Sequence, residues 1–112
     1  MTDKVVVYVT SSSAEESATI ARSLVDKRLA ACVNIVPQIR SFYRWEGEVK
    51  DDPEFLLLIK TSRPLFPAVR AEVERLHSYH VPEVICVPII EGSQNYLAWL
   101  AESLRAEAQT AE

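Results

Sequence analysis

Two histidines three residues apart, His77 and His80, and two cysteines, Cys32 and Cys86, are the residues of this chain best suited to a metal ion. Neutral imidazole is a common ligand of copper and zinc, and thiolate favours Cu(I). The two histidines face one ion only if a helix persists through His80. Val81-Pro82 works against that, because the residue before a proline avoids helical geometry. The competing reading makes His77 a helix-end residue whose charge suits the dipole, and His80 a loop residue in solvent. Cys32 and Cys86 lie in separate strand-like runs. Each is either a small buried apolar filler, as free cysteine commonly is, or part of a thiol pair or soft-metal site between chains. Cys86 reads better as filler, and Cys32 stays open. The metal candidates are therefore His77, Cys32 and His80, for copper or another divalent cation, although the residues alone require no cofactor.

Lys60, Tyr79, Glu83 and Trp45 form a second group. Lys60 ends an apolar strand-like run, and Glu83 opens another directly after Pro82. A strand-end lysine and glutamate either pair as a structural ion pair or line a pocket where subunits meet. Trp45 suits packing better than chemistry, since aromatic arms anchor interfaces. Enzyme readings find little support, and a non-enzymatic protein is expected. Gly47 and Gly92 are the only glycines, so there is no Gly-rich phosphate loop. No nucleophile elbow frames a serine, and no four-ligand zinc spacing occurs.

Bulk properties narrow the classes further. The 112 residues fit one domain spanning 1–112, with an Ala/Glu-rich end expected to fray from about residue 106. Hydrophobic residues at 48% and charged residues at 25% are ordinary globular composition. A net charge of −4 with scattered basic residues argues against nucleic acid, whose binding runs on clustered Lys and Arg. No apolar stretch approaches the ~20 residues of a membrane span. The first residues show no secretory signal, and two cysteines outside any framework of loops fit reduced thiols, so a cytoplasmic location is expected.

The elements that must position these residues follow from periodicity. Val5-Val6-Val7-Tyr8-Val9 reads as a strand. Ser13 and Glu16 make a capping box for a helix carrying Ala18, Ala21, Leu24 and Val25, ending near Lys27 or Arg28. A second strand starts at Cys32, is bent or bulged by Pro37, and resumes through Trp45. Glu46-Gly47-Glu48 turns it into a third strand, read over Phe55 to Lys60. Pro64 starts a helix carrying Phe66, Val69, Val73 and Leu76. Val84 to Ile90 is a fourth strand, with Pro88 marking an edge or bulge, and Ser93 caps a last helix carrying Tyr96, Leu97, Leu100 and Leu104. The order β-α-β-β-α-β-α is that of the α+β, ferredoxin-like split βαβ sandwich (βαββαβ) with one added C-terminal helix.

The strands do not alternate, as an antiparallel sheet with one wet face should. Two helices cover one face, and the last is too short to cover the other alone. Copies of the same chain are the simplest cover. A second strand from Ala31 to Trp45 spans ~50 Å at ~3.3 Å per residue, so the β2–β3 hairpin projects as an arm carrying Phe42, Tyr43 and Trp45. Exposed aromatics on an arm point to an interface. Phe42, Tyr43, Trp45, Cys86 and Trp99 are the expected interface residues of a homo-oligomer.

Leu29-Ala30-Ala31-Cys32-Val33-Asn34-Ile35 and Ser41-Phe42-Tyr43-Arg44-Trp45-Glu46-Gly47 resemble the CutA divalent-cation-tolerance family. Lys60-Thr61, His77-Ser78-Tyr79, Val81-Pro82-Glu83 and Tyr96-Leu97-Ala98-Trp99 extend the resemblance from about Val5 to Ser103. It implies a PII-like homotrimer involved in tolerance to copper and other divalent metal ions. It also implies a cleft between subunits built from Cys32, Trp45, Lys60, Tyr79 and Glu83. Some members carry a cysteine on the first strand and a His-His pair as proposed copper ligands; Val9 and Leu76 stand there instead, leaving His77 alone of that set. Two other classes share the topology or assembly: a PII- or ACT-like small-ligand regulatory module, and a structural trimeric scaffold. An RNA-recognition module is set aside, because Phe55-Leu56-Leu57-Leu58-Ile59 lacks its Gly-aromatic motif.

Overall fold

The chain runs β1 (Lys4–Ser11), α1 (Ala14–Asp26), β2 (Cys32–Trp45), β3 (Glu48–Ser62), a 3-10 turn (Arg63–Leu65), α2 (Phe66–Leu76), β4 (Val84–Pro88) and α3 (Gln94–Ser103). The structure, a computed structural model, describes residues 2–106, so the expected fraying lies almost wholly outside the described residues. All strand pairings are antiparallel in the order β2-β3-β1-β4, which makes β2 and β4 opposite edges. This is the ferredoxin-like α+β arrangement expected from the element order.

Strand register sorts the side chains onto two faces. Val5, Val7, Val9, Leu57 and Ile59 are buried against Ile20 and Leu24 of α1 and Val69 and Val73 of α2. The opposite face carries a cross-strand row of Cys32, Lys60, Val6 and Val87, then a row of Asn34, Leu58, Tyr8 and Ile85. On that second face Ile85 is 49% exposed, and Val36 and Val87 are also uncovered.

Several boundaries differ from the expectations for physical reasons. In α1 the buried residues are Ser17, Ile20 and Leu24, while Val25 is exposed; the face turns on Ile20, not on the two alanines. Ser13 does cap α1, accepting the Glu16 amide at 3.0 Å. The carboxylate of Glu16 accepts from the Ser11 hydroxyl at 3.2 Å instead of returning to the cap. The helix closes with Leu29 N–H on Leu24 C=O at 2.9 Å and Arg28 N–H on Val25 C=O at 3.0 Å, with Arg28 at φ 58°. This is a Schellman ending with arginine in the usual glycine position. Leu29 and Ala30 then drop into the core, and the buried Thr61 hydroxyl donates to Leu29 C=O at 2.7 Å.

Pro37 does mark a bulge. Register passes from Val36↔Leu56 to Ile39↔Glu54, leaving Pro37 and Gln38 opposite Phe55, with Gln38 at φ 63°. Beyond it the arm closes through Glu46 (φ 51°) and Gly47 (φ 82°), the two positive angles of a two-residue hairpin turn. Strand β3 starts at Glu48, well before the expected Phe55. Pro53 is tolerated because β1 ends at the Ser11↔Phe55 rung, so β3 has a neighbour on one side only there. Pro64 is the second residue of the 3-10 turn and precedes α2 itself. Strand β4 stops at Pro88 because its partner β1 runs out; Ile89 N–H makes one last bond, to Lys4 C=O at 3.2 Å. Ser93 occupies the cap position of α3, but its side chain makes no capping hydrogen bond.

Candidate functional site

The arm, β3 and the loop between α2 and β4 enclose a cleft of about 670 Å³. Strand β3 supplies Glu54, only 7% exposed. The arm supplies Phe42, Tyr43 and Trp45, and the loop supplies Tyr79 and Glu83. The Tyr79 hydroxyl donates to Glu54 Oε2 at 2.6 Å, and burial together with that bond drives the phenol well above its ordinary range. Burial, reinforced by the charge of Glu54, also raises the Glu83 carboxyl. On the arm, Arg40 grips Asp51 with two bonds of 3.0 and 2.9 Å and lies over the Phe42 ring at 5.0 Å. The Tyr43 hydroxyl donates to Asp52, which raises that phenol too.

The loop is held by His77. Helix α2 ends at Leu76, and His77 has an extended backbone, so His77 and His80 do not share a helical face. The His77 ring is fully buried: Nε2 donates to Thr10 C=O at 2.7 Å and Nδ1 accepts from the Tyr79 amide at 3.0 Å. The Glu16 carboxylate lies 3.4 Å from Nδ1. Both ring nitrogens are thus engaged within the chain, and the ring packs beside Tyr79 at 4.7 Å between centroids. His80 is exposed on the cleft rim.

Cys32 lies elsewhere, half-buried on the sheet face opposite α1 and α2. Lys60 Nζ is 4.0 Å from its sulfur and bonds the side-chain oxygen of Asn34. On α3 the Tyr96 phenol is raised by burial and then by the Cys32 thiol, and its ring lies tilted against Trp99 at 5.6 Å between centroids. Lys60 and Glu54 are six positions apart on β3, roughly 20 Å at ~3.3 Å per residue. One chain therefore separates the expected pocket residues into two groups. Trp45, Tyr79 and Glu83 share the cleft; Cys32 and Lys60 sit at the far end of β3, and Lys60 does not pair with Glu83. Cys86 occupies the row Val33, Ile59, Val7, Cys86 on the helix-covered face, opposite to that of Cys32, and burial pushes its thiol up. Phe42 (63% exposed), Tyr43, Trp45 and Trp99 are all substantially exposed. Among the described residues, no three His, Cys, Asp or Glu side chains cluster to hold a metal ion. Glu54 went unnoticed in the sequence because it reads as one acid in the Asp51-Asp52-Pro53-Glu54 stretch; its even position on β3, with Leu56 and Leu58, was the available signal.

An antiparallel sheet backed by two helices, with a projecting arm and an acidic, aromatic cleft at its base, defines a ferredoxin-like domain that carries its polar chemistry at the rims. Comparison places it more narrowly. The family model for the CutA1 divalent ion tolerance protein matches residues 5–103. The chain is 53% identical over 98 residues to the divalent-cation tolerance protein CutA of Thermus thermophilus, covering 88% of this chain and 95% of that one. It is 50% identical over 101 residues to the chloroplastic protein CutA of Arabidopsis thaliana, covering 90% of this chain and 56% of the longer plant protein. The solved divalent cation tolerance protein (Cut A1) from Thermus thermophilus superposes with a TM-score of 0.88 at 51% identity, covering 91% of this chain and 99% of that one. The chain belongs to the CutA1 divalent ion tolerance family.

Proposed function

We propose that this protein is a homotrimer that binds or responds to copper and other divalent metal ions, meeting the cation at sites completed between copies and catalysing no reaction. The observation that carries this reading is the separation of its metal-competent groups. Cys32 lies on the sheet face that leaves Ile85 and Val87 exposed, while His80 and Glu83 lie on the cleft rim. A single chain offers a cation no complete set of donors among the described residues, whereas a neighbour docked on the uncovered face brings a second set to Cys32. The exposed Phe42, Tyr43 and Trp45 supply an arm suited to reach that neighbour. Two unpaired cysteines fit a reducing compartment, and the cytoplasm is the proposed location.

Native mass spectrometry during titration with Cu(I), Cu(II) and Zn(II) tests the reading. Wild-type protein is expected to remain trimeric and take up Cu(I), with weaker uptake in Cys32→Ser and His80→Ala. His77→Ala is expected to act through the Tyr79 loop, by loosening the fold. Absence of any metal binding tighter than about micromolar, or binding unchanged in the Cys32 and His80 variants, contradicts it.

A further inference from the structure

One nitrogen of the His77 ring faces two claimants. Thr10 C=O only accepts, so Nε2 carries a proton; the Tyr79 amide only donates, so Nδ1 carries none. The neutral ring in that tautomer satisfies both partners, at 2.7 and 3.0 Å. Oε2 of Glu16 lies 3.4 Å from the same Nδ1. While the ring is neutral these two acceptors gain nothing from each other. A proton on Nδ1 reverses the preference: the nitrogen then donates to the carboxylate and meets the Tyr79 N–H as donor against donor.

The surroundings make this a choice between two arrangements inside the chain. The ring has no exposed surface and the Glu16 side chain only 15%, so solvent is a poor substitute for a lost partner. Helix α1 supplies Glu16, and β1 supplies Thr10 and the Ser11 hydroxyl, which donates to the same Glu16 oxygen at 3.2 Å. The segment after α2 supplies Tyr79, whose hydroxyl leads on to Glu54 of β3. Among the described residues Glu16 has no ion-pair partner except His77. The charged groups facing the ring are therefore acids, Glu16 directly and Glu54 behind the Tyr79 phenol. Histidine changes charge in the physiological range, and an adjacent carboxylate offsets the desolvation of a buried imidazolium. The imidazolium also keeps its Nε2–H, so the Thr10 bond is common to both states.

We infer that His77 is a proton-operated latch on the segment between α2 and β4. The neutral ring holds the segment through the Tyr79 amide; the protonated ring gives Nδ1 to Glu16 and releases it, with Nε2 anchored on Thr10 throughout. The segment carries Tyr79, His80 and Glu83 to the base of the arm, so the proton sets how firmly all three are held there. Every group of the latch belongs to one chain, and the device is complete whatever a neighbouring copy covers.

The test is NMR of the 15N-labelled oligomer between about pH 8 and about pH 5, reading the His77 ring nitrogens and the hydrogen exchange of the Tyr79 amide, corrected for its intrinsic rate. The ring is expected to pass from the Nε2–H tautomer to imidazolium, and Tyr79 protection to fall about tenfold with the same midpoint, while the paired amides of β1 and β3 keep theirs. Glu16→Gln removes the charge that receives the proton and is expected to lower the midpoint by about one pH unit, tenfold in proton affinity. His77→Gln keeps one donor and one acceptor without a titrating proton, and is expected to abolish the pH dependence at Tyr79. A ring that stays neutral throughout, or that titrates with Tyr79 protection unchanged, overturns the inference. So does an unmoved midpoint in Glu16→Gln, or pH dependence retained in His77→Gln; if the latter variant does not fold, the Glu16→Gln result decides.

Discussion

Replacing Glu72 by glutamine removes the one charged hub that joins α1 to α2 among the described residues. Its carboxylate is 8% exposed and accepts from Arg75 Nη2 at 2.7 Å, Arg75 Nε at 3.1 Å, Lys27 Nζ at 2.9 Å and the Ser23 hydroxyl. The bonds from Arg75 first, then Ser23, hold the carboxyl down at about 2 against the opposing effect of burial. Relative to an ordinary glutamate near 4.3, that difference corresponds to about 3 kcal/mol of native-state stabilisation. Lys27 and Arg75 are about half exposed, so solvent screening reduces the contribution to about 1–2 kcal/mol. The folded value lies below the unfolded one, so the stabilisation is fully present above about pH 5 and is lost as pH falls through about 2. Urea denaturation of wild type and Glu72→Gln at one fixed protein concentration measures it. The variant is expected to be about 1–2 kcal/mol per chain less stable near pH 7, with the gap closing steadily toward pH ~2. A gap that stays constant from neutral to acid pH would refute the electrostatic assignment and leave packing as the cause.

Two further substitutions probe local devices. Ser13→Ala removes the side chain that accepts the Glu16 amide and is expected to cost about 1 kcal/mol in chemical denaturation; Ser13→Asp is expected to restore it. Tyr79→Phe leaves the buried Glu54 carboxylate without its donor, and is expected to cost about 1–3 kcal/mol, as thermal denaturation at neutral pH would show.

Much of the fold was legible because periodicity and turn chemistry agree along the chain. The β-branched run at Val5, the Ser13–Glu16 spacing, Pro37 and Gly47 each mark a feature that is present. What escaped was set by tertiary context. Arg28 in the left-handed conformation ends α1 without the glycine that usually signals such an ending. Pro53 looks like a strand breaker, and only the early end of β1 makes it tolerable. The site was legible by residue type more than by arrangement. Trp45, Tyr79 and Glu83 do share a cleft, but Cys32 and Lys60 do not join them within one chain. His77 resembles a ligand in sequence, and in the fold it spends both nitrogens on Thr10 and Tyr79. Spacing cannot reveal that commitment, because Thr10 lies 67 positions away.

Sedimentation equilibrium across a wide range of protein concentration tests the account most directly, since the proposed metal site at Cys32 is one completed by neighbouring copies. Three times the mass of one chain, retained on dilution and lowered by Ile85→Glu on the uncovered face, is the result expected. A folded species with the mass of a single chain at high concentration would contradict it.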